Sequence, residues 1–207
     1  MRIKICGLFR EEDVGYVNRA GVDYAGFVFA DSRRQVSHAL AMRLRRRLDE
    51  GIVPVGVFVN ALCDDIVALY RDGVIGMAQL HGTEDDGYIA RLKEASLDGS
   101  NLEPIPVIKT ILGDELSKGT GLVSRADYYL VDSGSGSGKT FDWDLLRSQH
   151  FSKPWFLAGG INVDNIERAC AFYPFAIDVS SGAETDGVKD LEKILRLATM
   201  AKKGNTL

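Results

Sequence analysis

Reactive and polar side chains stand directly after short apolar runs at several separated points of the chain. Cys6 ends RIKIC (2–6), Asp132 ends DYYLVD (127–132), and His81 follows GMAQL (76–80). Arg33 and Arg34 follow YAGFVF (24–29), and Gly159 and Gly160 follow PWFLA (154–158). AIDVS (176–180) carries Asp178 and runs into Ser180, Ser181 and Gly182. A thiol and a carboxyl at one place can move protons, one as base and the other as acid. A guanidinium can grip a carboxylate with a two-point fork, and glycine-rich turns let backbone N–H groups approach a phosphate. Taken singly, each residue has an ordinary explanation. A lone strand-end cysteine is a small buried hydrophobe, Asp132 could cap a loop, His81 could be a satisfied rim histidine, and Arg34 could be plain surface. Only a fold that gathers them on one rim makes them a site.

The stretch SGSGSGKT (133–140) poses a separate question. Gly138, Lys139 and Thr140 match the second half of the nucleotide-binding pattern G-x-x-x-x-G-K-[ST], but Ser133 stands where its first glycine belongs. Phe141-Asp142-Trp143 also intervenes where a phosphate-cradling loop would enter its helix at once. Gly134, Gly136, Gly138 and Lys139 therefore read as a flexible loop that closes over a substrate and excludes water. A nucleotide cradle is the competing reading.

Eight β-rich runs recur along the chain: the six named above, together with PVGVFV (54–59) and IPVIKTI (105–111). Most are continuously apolar, as strands buried on both faces of a parallel sheet must be. Helical spacing lies between them. Val14 and Val17 share a face before Gly21; Leu62, Ile66, Leu69 and Tyr70 form a stripe before Gly73. Asn162 is a candidate N-cap for a helix carrying Ile166 and Ala169. The last segment carries Leu191, Ile194, Leu195 and Leu197 and ends in lysines. The fifth helix, in a segment with two glycines, should be short or irregular. Strand and helix alternate eight times, which predicts a (β/α)8 barrel over residues 1–207 as a single domain, with an open doubly wound sheet as the alternative. In a barrel all strand C-termini converge on one face, so the residues above share a rim. Phosphate is often held there by the loops after strands 7 and 8, which here are Gly159–Gly160 and Ser180–Gly182.

With 45% hydrophobic residues and a net charge of −4, the chain lacks the basic excess of a nucleic-acid binder. The run RLRRR (43–47) reads as a solvated helix face. Three scattered cysteines without a C-x-x-C pair indicate neither a disulfide framework nor a metal site. MRIKIC is too quickly interrupted for a signal peptide, and no apolar stretch approaches the roughly 20 residues of a membrane span. A cytoplasmic protein acting on a phosphorylated small molecule, without membrane or nucleic-acid partners, is expected. No helix face is apolar enough to demand a partner, which leaves a monomer or a homodimer.

The motifs KICG (4–7), GFVF (26–29), VGVFVN (55–60), QLHG (79–82), SGKTFDW (137–143), LAGGI (157–161) and DVSSGAE (178–184) resemble, together and in order, the phosphoribosylanthranilate isomerases of tryptophan biosynthesis. The resemblance implies a cofactor-free Amadori rearrangement of N-(5′-phosphoribosyl)anthranilate. It implies that Cys6 is the general base and Asp132 the general acid, and that the arginine after strand 2 binds the anthranilate carboxylate. Arg34 fits that role best, although ADSRR is shorter than the family's usual loop. His81 and Asp178 would touch substrate. For the base, some thiolate character has to come from a neighbour such as Arg34 or from a backbone dipole. Two other readings remain: a sugar-phosphate isomerase of histidine biosynthesis, which would carry a pair of aspartates on two similar half-barrels where here Cys6 occupies the strand-1 position, and a non-catalytic phosphate-binding barrel.

Overall fold

The computed structural model describes residues 1–97, 103–117, 125–132 and 143–203. Eight parallel strands close into a barrel in chain order: β1 (Arg2–Cys6), β2 (Tyr24–Val28), β3 (Val53–Phe58), β4 (Met77–Leu80), β5 (Val107–Leu112), β6 (Tyr128–Asp132), β7 (Trp155–Ala158) and β8 (Ala176–Val179). The ring shuts where β8 pairs with β1, Lys4 standing opposite Asp178. The expected (β/α)8 barrel is the observed fold, with strand ends displaced by a residue or two.

Helices α1 (Glu11–Ala20), α2 (His38–Arg45), α3 (Cys63–Arg71), α4 (Asp86–Leu97), α5 (Gly113–Ser117), α6 (Ile166–Cys170) and α7 (Leu191–Lys203) pack outside. Gly21 ends α1 at φ 59° and Gly73 follows α3 at φ 67°, the left-handed stops their positions suggest. The outer layer is less regular than eight full helices. α5 has five residues, as its glycines imply, and residues 118–124 lie outside the described residues. A 3-10 helix (Trp143–Ser148) takes the sixth position, and α6 is only five residues long. Asn162 does not cap α6 directly. Its Oδ1 accepts from the Asp164 N–H at 2.8 Å and organises the turn ahead of the helix, while Asn165 holds the N-cap position.

Alternation along the strands sorts the interior. Outward residues such as Ile3, Ile5, Phe27, Leu80, Val131 and Ile177 join the core under the helices. Inward residues Tyr24, Val55, Met77, Ile108, Leu130, Phe156 and Ala176 fill the barrel itself. Aromatic rings plug its N-terminal end: Tyr24 and Phe156 meet edge-on at 5.4 Å, and the Arg2 guanidinium lies 4.4 Å from the Phe175 ring centre. Two residues further along the same faces the lining changes character, to Gln79, Thr110, Asp132 and Asp178, with Lys4 in the same layer. The barrel is therefore an apolar plug under a polar floor. The floor faces the C-terminal rim, where barrel chemistry is ordinarily built.

Candidate active site

A cavity of about 220 Å³ opens at that rim. It brings together Cys6, Arg34, His81, Asp132, Gly159, Gly160, Asp178, Ser180 and Ser181, all singled out by sequence, with Val57, Gln79, Ala158 and Ile161 completing the wall. Cys6 and Asp132 lie on strands far apart in the chain, yet both border this one space. Gly134, Gly136, Gly138 and Lys139 lie outside the described residues.

Cys6 ends β1 and is 8% exposed. Its partner in the β1–β2 register is Gly26, and a Cβ there would lie 2.8 Å from the Cys6 sulfur. The missing side chain is what makes room for the thiol. Burial pushes the Cys6 thiol above its ordinary value and Asp178 adds to the rise, while Lys4 and Lys189 pull the other way. This corrects the expectation that Arg34 would lend the thiol its charge: the cations facing the sulfur are two lysines. Arg34 instead crosses over Gly7, which sits at φ 83° and where a Cβ would collide with the arginine stem.

Arg34 is fixed by Glu184, donating from Nε to Oε1 at 2.6 Å and from its terminal nitrogen to Oε2 at 2.9 Å. The same carboxylate accepts from Lys189 Nζ at 2.8 Å and from the more exposed Arg33, which also donates to the Gly187 carbonyl. Arg33 turns away along the antiparallel hairpin of Glu184–Thr185 and Val188–Lys189, so only Arg34 reaches the cavity. Burial works against the Glu184 charge, but hydrogen bonds from Arg34 and Lys189 and their charges outweigh it and hold the carboxyl at about 2. Because the folded value lies below the ordinary 4.5, this carboxylate stabilises the fold fully above about pH 4.5 and ceases to as pH falls toward 2. Glu184→Gln should accordingly melt earlier than wild type at neutral pH, with a loss of about 3 kcal/mol from leaving the buried Lys189 unpaired. The gap between the two proteins should close in melts taken at successively lower pH. A gap that stayed constant into acid would show that the carboxylate charge is not what matters.

Asp132 ends β6 and is 7% exposed. His81 Nε2 lies 3.6 Å from its Oδ2. On the other side of the imidazole, Nδ1 lies 3.2 Å from Thr110 Oγ1 and 3.5 Å from the Gln79 side-chain nitrogen. In the tautomer where both neighbours donate to Nδ1, the imidazole carries its proton on Nε2, facing Asp132. Lys109 and Asn60, also at strand ends, do not line the cavity. Lys109 Nζ donates to the Gly82 carbonyl at 2.8 Å, and Asn60 Oδ1 accepts from the Thr83 N–H at 2.9 Å, so both brace the loop after β4.

Gly159 and Gly160 follow β7 at φ 90° and 66°, a turn in which L side chains would be strained. Asn165 holds it, donating to the Gly160 carbonyl at 3.0 Å and accepting from the Asn162 N–H at 2.8 Å. Ser180 and the 3-10 turn Ser181–Ala183 face it from β8. Gly182 is not itself in the cavity wall. A Cβ there would run into the Ile161 carbonyl, so this glycine lets the two loops close on each other. Three residues of the site went unsingled in the sequence: Lys4, Lys189 and Gln79's partner layer at Thr110. Lys4 carried the clearest signal, a charge inside an apolar strand and two residues before Cys6. Among the described residues no group of three or more His, Cys, Asp or Glu side chains could hold a metal ion, and no helix is long and apolar enough to cross a membrane.

Residues 3–199 match the family model described as N-(5′-phosphoribosyl)anthranilate (PRA) isomerase. An N-(5′-phosphoribosyl)anthranilate isomerase of Endomicrobium trichonymphae is 49% identical over 200 residues, covering 94% of each chain. The crystal structure of phosphoribosyl anthranilate isomerase from Thermotoga maritima superposes with a TM-score of 0.81 at 33% identity, over 98% of this chain and 99% of that one. A phosphoribosyl anthranilate isomerase in complex with reduced 1-(o-carboxyphenylamino)-1-deoxyribulose 5-phosphate gives a TM-score of 0.79 at 30% identity, with the same coverage.

Proposed function

The chain belongs to the N-(5′-phosphoribosyl)anthranilate isomerase family, and from that membership we propose how its residues divide the reaction. The family's isomerisation, a step of tryptophan biosynthesis, turns the aminoaldose N-(5′-phosphoribosyl)anthranilate into 1-(2-carboxyphenylamino)-1-deoxyribulose 5-phosphate. Asp132 gives its proton to the furanose ring oxygen, the bond from that oxygen to C1′ breaks, and the nitrogen lone pair forms the Schiff base. Cys6, as thiolate, removes the C2′ proton, and the resulting enolamine tautomerises to the ketone. Both steps are proton transfers, so the route calls for no cofactor.

The observation that carries this reading is the shared cavity, which Cys6 and Asp132 border together with the loops after β7 and β8. Arg34 takes the anthranilate carboxylate with the donors that Glu184 leaves free. His81 and Asp178 contact the substrate between its two anionic ends. Gly159, Gly160, Ser180 and Ser181 hold the phosphate, with Gly182 keeping their loops together. Gly134, Gly136, Gly138 and Lys139 form the flap over the bound substrate. Residues 1–207 act as one barrel domain, in the cytoplasm, on a phosphorylated small molecule.

Following the decay of anthranilate fluorescence with freshly made substrate tests the activity directly, and a chain without turnover would defeat the proposal. The phosphate site has its own test. Inorganic phosphate or sulfate should inhibit competitively at millimolar concentration. Inhibition that is non-competitive, or absent at high sulfate, would place the anion somewhere else.

A further inference from the structure

We propose that Lys4, held in place by Asp178, is the positioning residue that eases the ionisation of Cys6 for proton abstraction. This rests on the reading of Cys6 as the base. Lys4 and Cys6 are two residues apart on β1 and so point to the same side of the strand, about 6.6 Å apart along it, well within the reach of a lysine side chain. Lys4 is fully buried, and its Nζ donates to Asp178 Oδ2 at 2.9 Å. The same ammonium and the Cys6 sulfur each bear on the other's charge. Burial works against this ammonium, but Asp178 and Cys6 outweigh it, and Lys4 stays a cation.

The charges around the thiol pull its ionisation both ways. From β1 it meets Lys4 and from β8 Asp178; from the hairpin after β8 come Lys189 and, behind it, Glu184. β2 presents only Gly26, while Arg34 comes from the loop beyond it; Asp132 and His81 stand across the cavity. The charges that bear on the sulfur are the two lysines, Lys4 and Lys189, and the one carboxylate Asp178. Burial pushes the thiol up and Asp178 adds to the rise, and Lys4 is the larger of the two lysine charges that work against it.

A merely structural role accounts poorly for this lysine. Replacing a buried ion pair by apolar residues of similar volume is often neutral or stabilising, and the layer directly beneath is already apolar. Lys189 is the less specific of the two lysines. Its Nζ is already committed to the Ser180 carbonyl at 3.0 Å as well as to Glu184.

The test uses protein in which Cys63 and Cys170 are replaced by alanine, so that thiolate absorbance reports Cys6 alone. Lys4→Met should raise the midpoint of that absorbance, and the rising limb of the kcat/KM pH profile, together by about 1 to 3 pH units. Each unit lowers the thiolate fraction at neutral pH about tenfold. A folded Lys4→Met protein with both features unmoved overturns the proposal. A second measurement needs no change at Lys4. In otherwise unaltered protein carrying ¹³Cε-labelled lysine, the Lys4 resonance should step at the Cys6 midpoint, and the step should vanish in Cys6→Ser. A Lys4 resonance blind to that titration also overturns it. Retention of turnover by Cys6→Ser would instead remove the base itself, a failure distinguishable from loss of the lysine's role alone.

Discussion

Cys6→Ser is expected to lower kcat by about 10²–10⁴-fold, the usual worth of a positioned base, while the barrel melts close to wild type. A hydroxyl is nearly as large as a thiol and fits the notch left by Gly26. It is also a far weaker acid, so almost none of it is ionised at any pH the protein survives. Product affinity should change little, because the groups that hold the carboxylate and phosphate are untouched. Proton abstraction then becomes the slow step, and substrate deuterated at C2′ should show a larger isotope effect than with wild type. The pH profile gives a further check. Burial pushes the Cys6 thiol up, so wild-type kcat/KM should keep rising with pH beyond neutrality, and that rise should disappear in the serine variant. Turnover within about tenfold of wild type would remove Cys6 from the role.

The barrel was legible because strands buried on both faces leave near-continuous apolar runs, and eight of these alternated with helical stripes. The outer layer was less so. WDLLRS and IERAC are each too short to propagate a helix on their own, and their lengths were set by packing that no local pattern records. At the site, the strand-end rule found Cys6, Asp132, Asp178 and the two glycine loops, because a polar residue closing an apolar run stands out. Lys4 was absorbed into RIKIC. In isolation a lysine in a strand looks like an edge or surface residue, and its partner Asp178 is 174 positions away, reachable only once β8 closes on β1. Arg34 could be preferred over Arg33 only through the family resemblance, for a different reason. A loop has no periodicity, and what separates them is the open space over Gly7 and the fork that Glu184 presents to Arg34. Glu184 itself lay within DVSSGAE, but its task is defined by residues 150 positions away.

Asp132→Asn should cost kcat about as much as the loss of Cys6, roughly 10²–10⁴-fold, but by stalling the opposite half of the reaction. An amide keeps the shape and the polar contact with His81 Nε2 beside it, yet it has no acidic proton for the ring oxygen. Without that proton the leaving oxygen would depart as an alkoxide, and ring opening becomes limiting. The C2′ proton is removed only afterwards, so the isotope effect from deuterium at C2′ should shrink toward unity, where Cys6→Ser enlarges it. Affinity for the open-chain product should survive, since its ring is already open. The pair of isotope effects assigns the acid and the base separately, which neither rate loss can do alone. If Asp132→Asn expressed the C2′ isotope effect as strongly as Cys6→Ser, both residues would be acting on the same proton, and Asp132 could not be the acid that opens the ring.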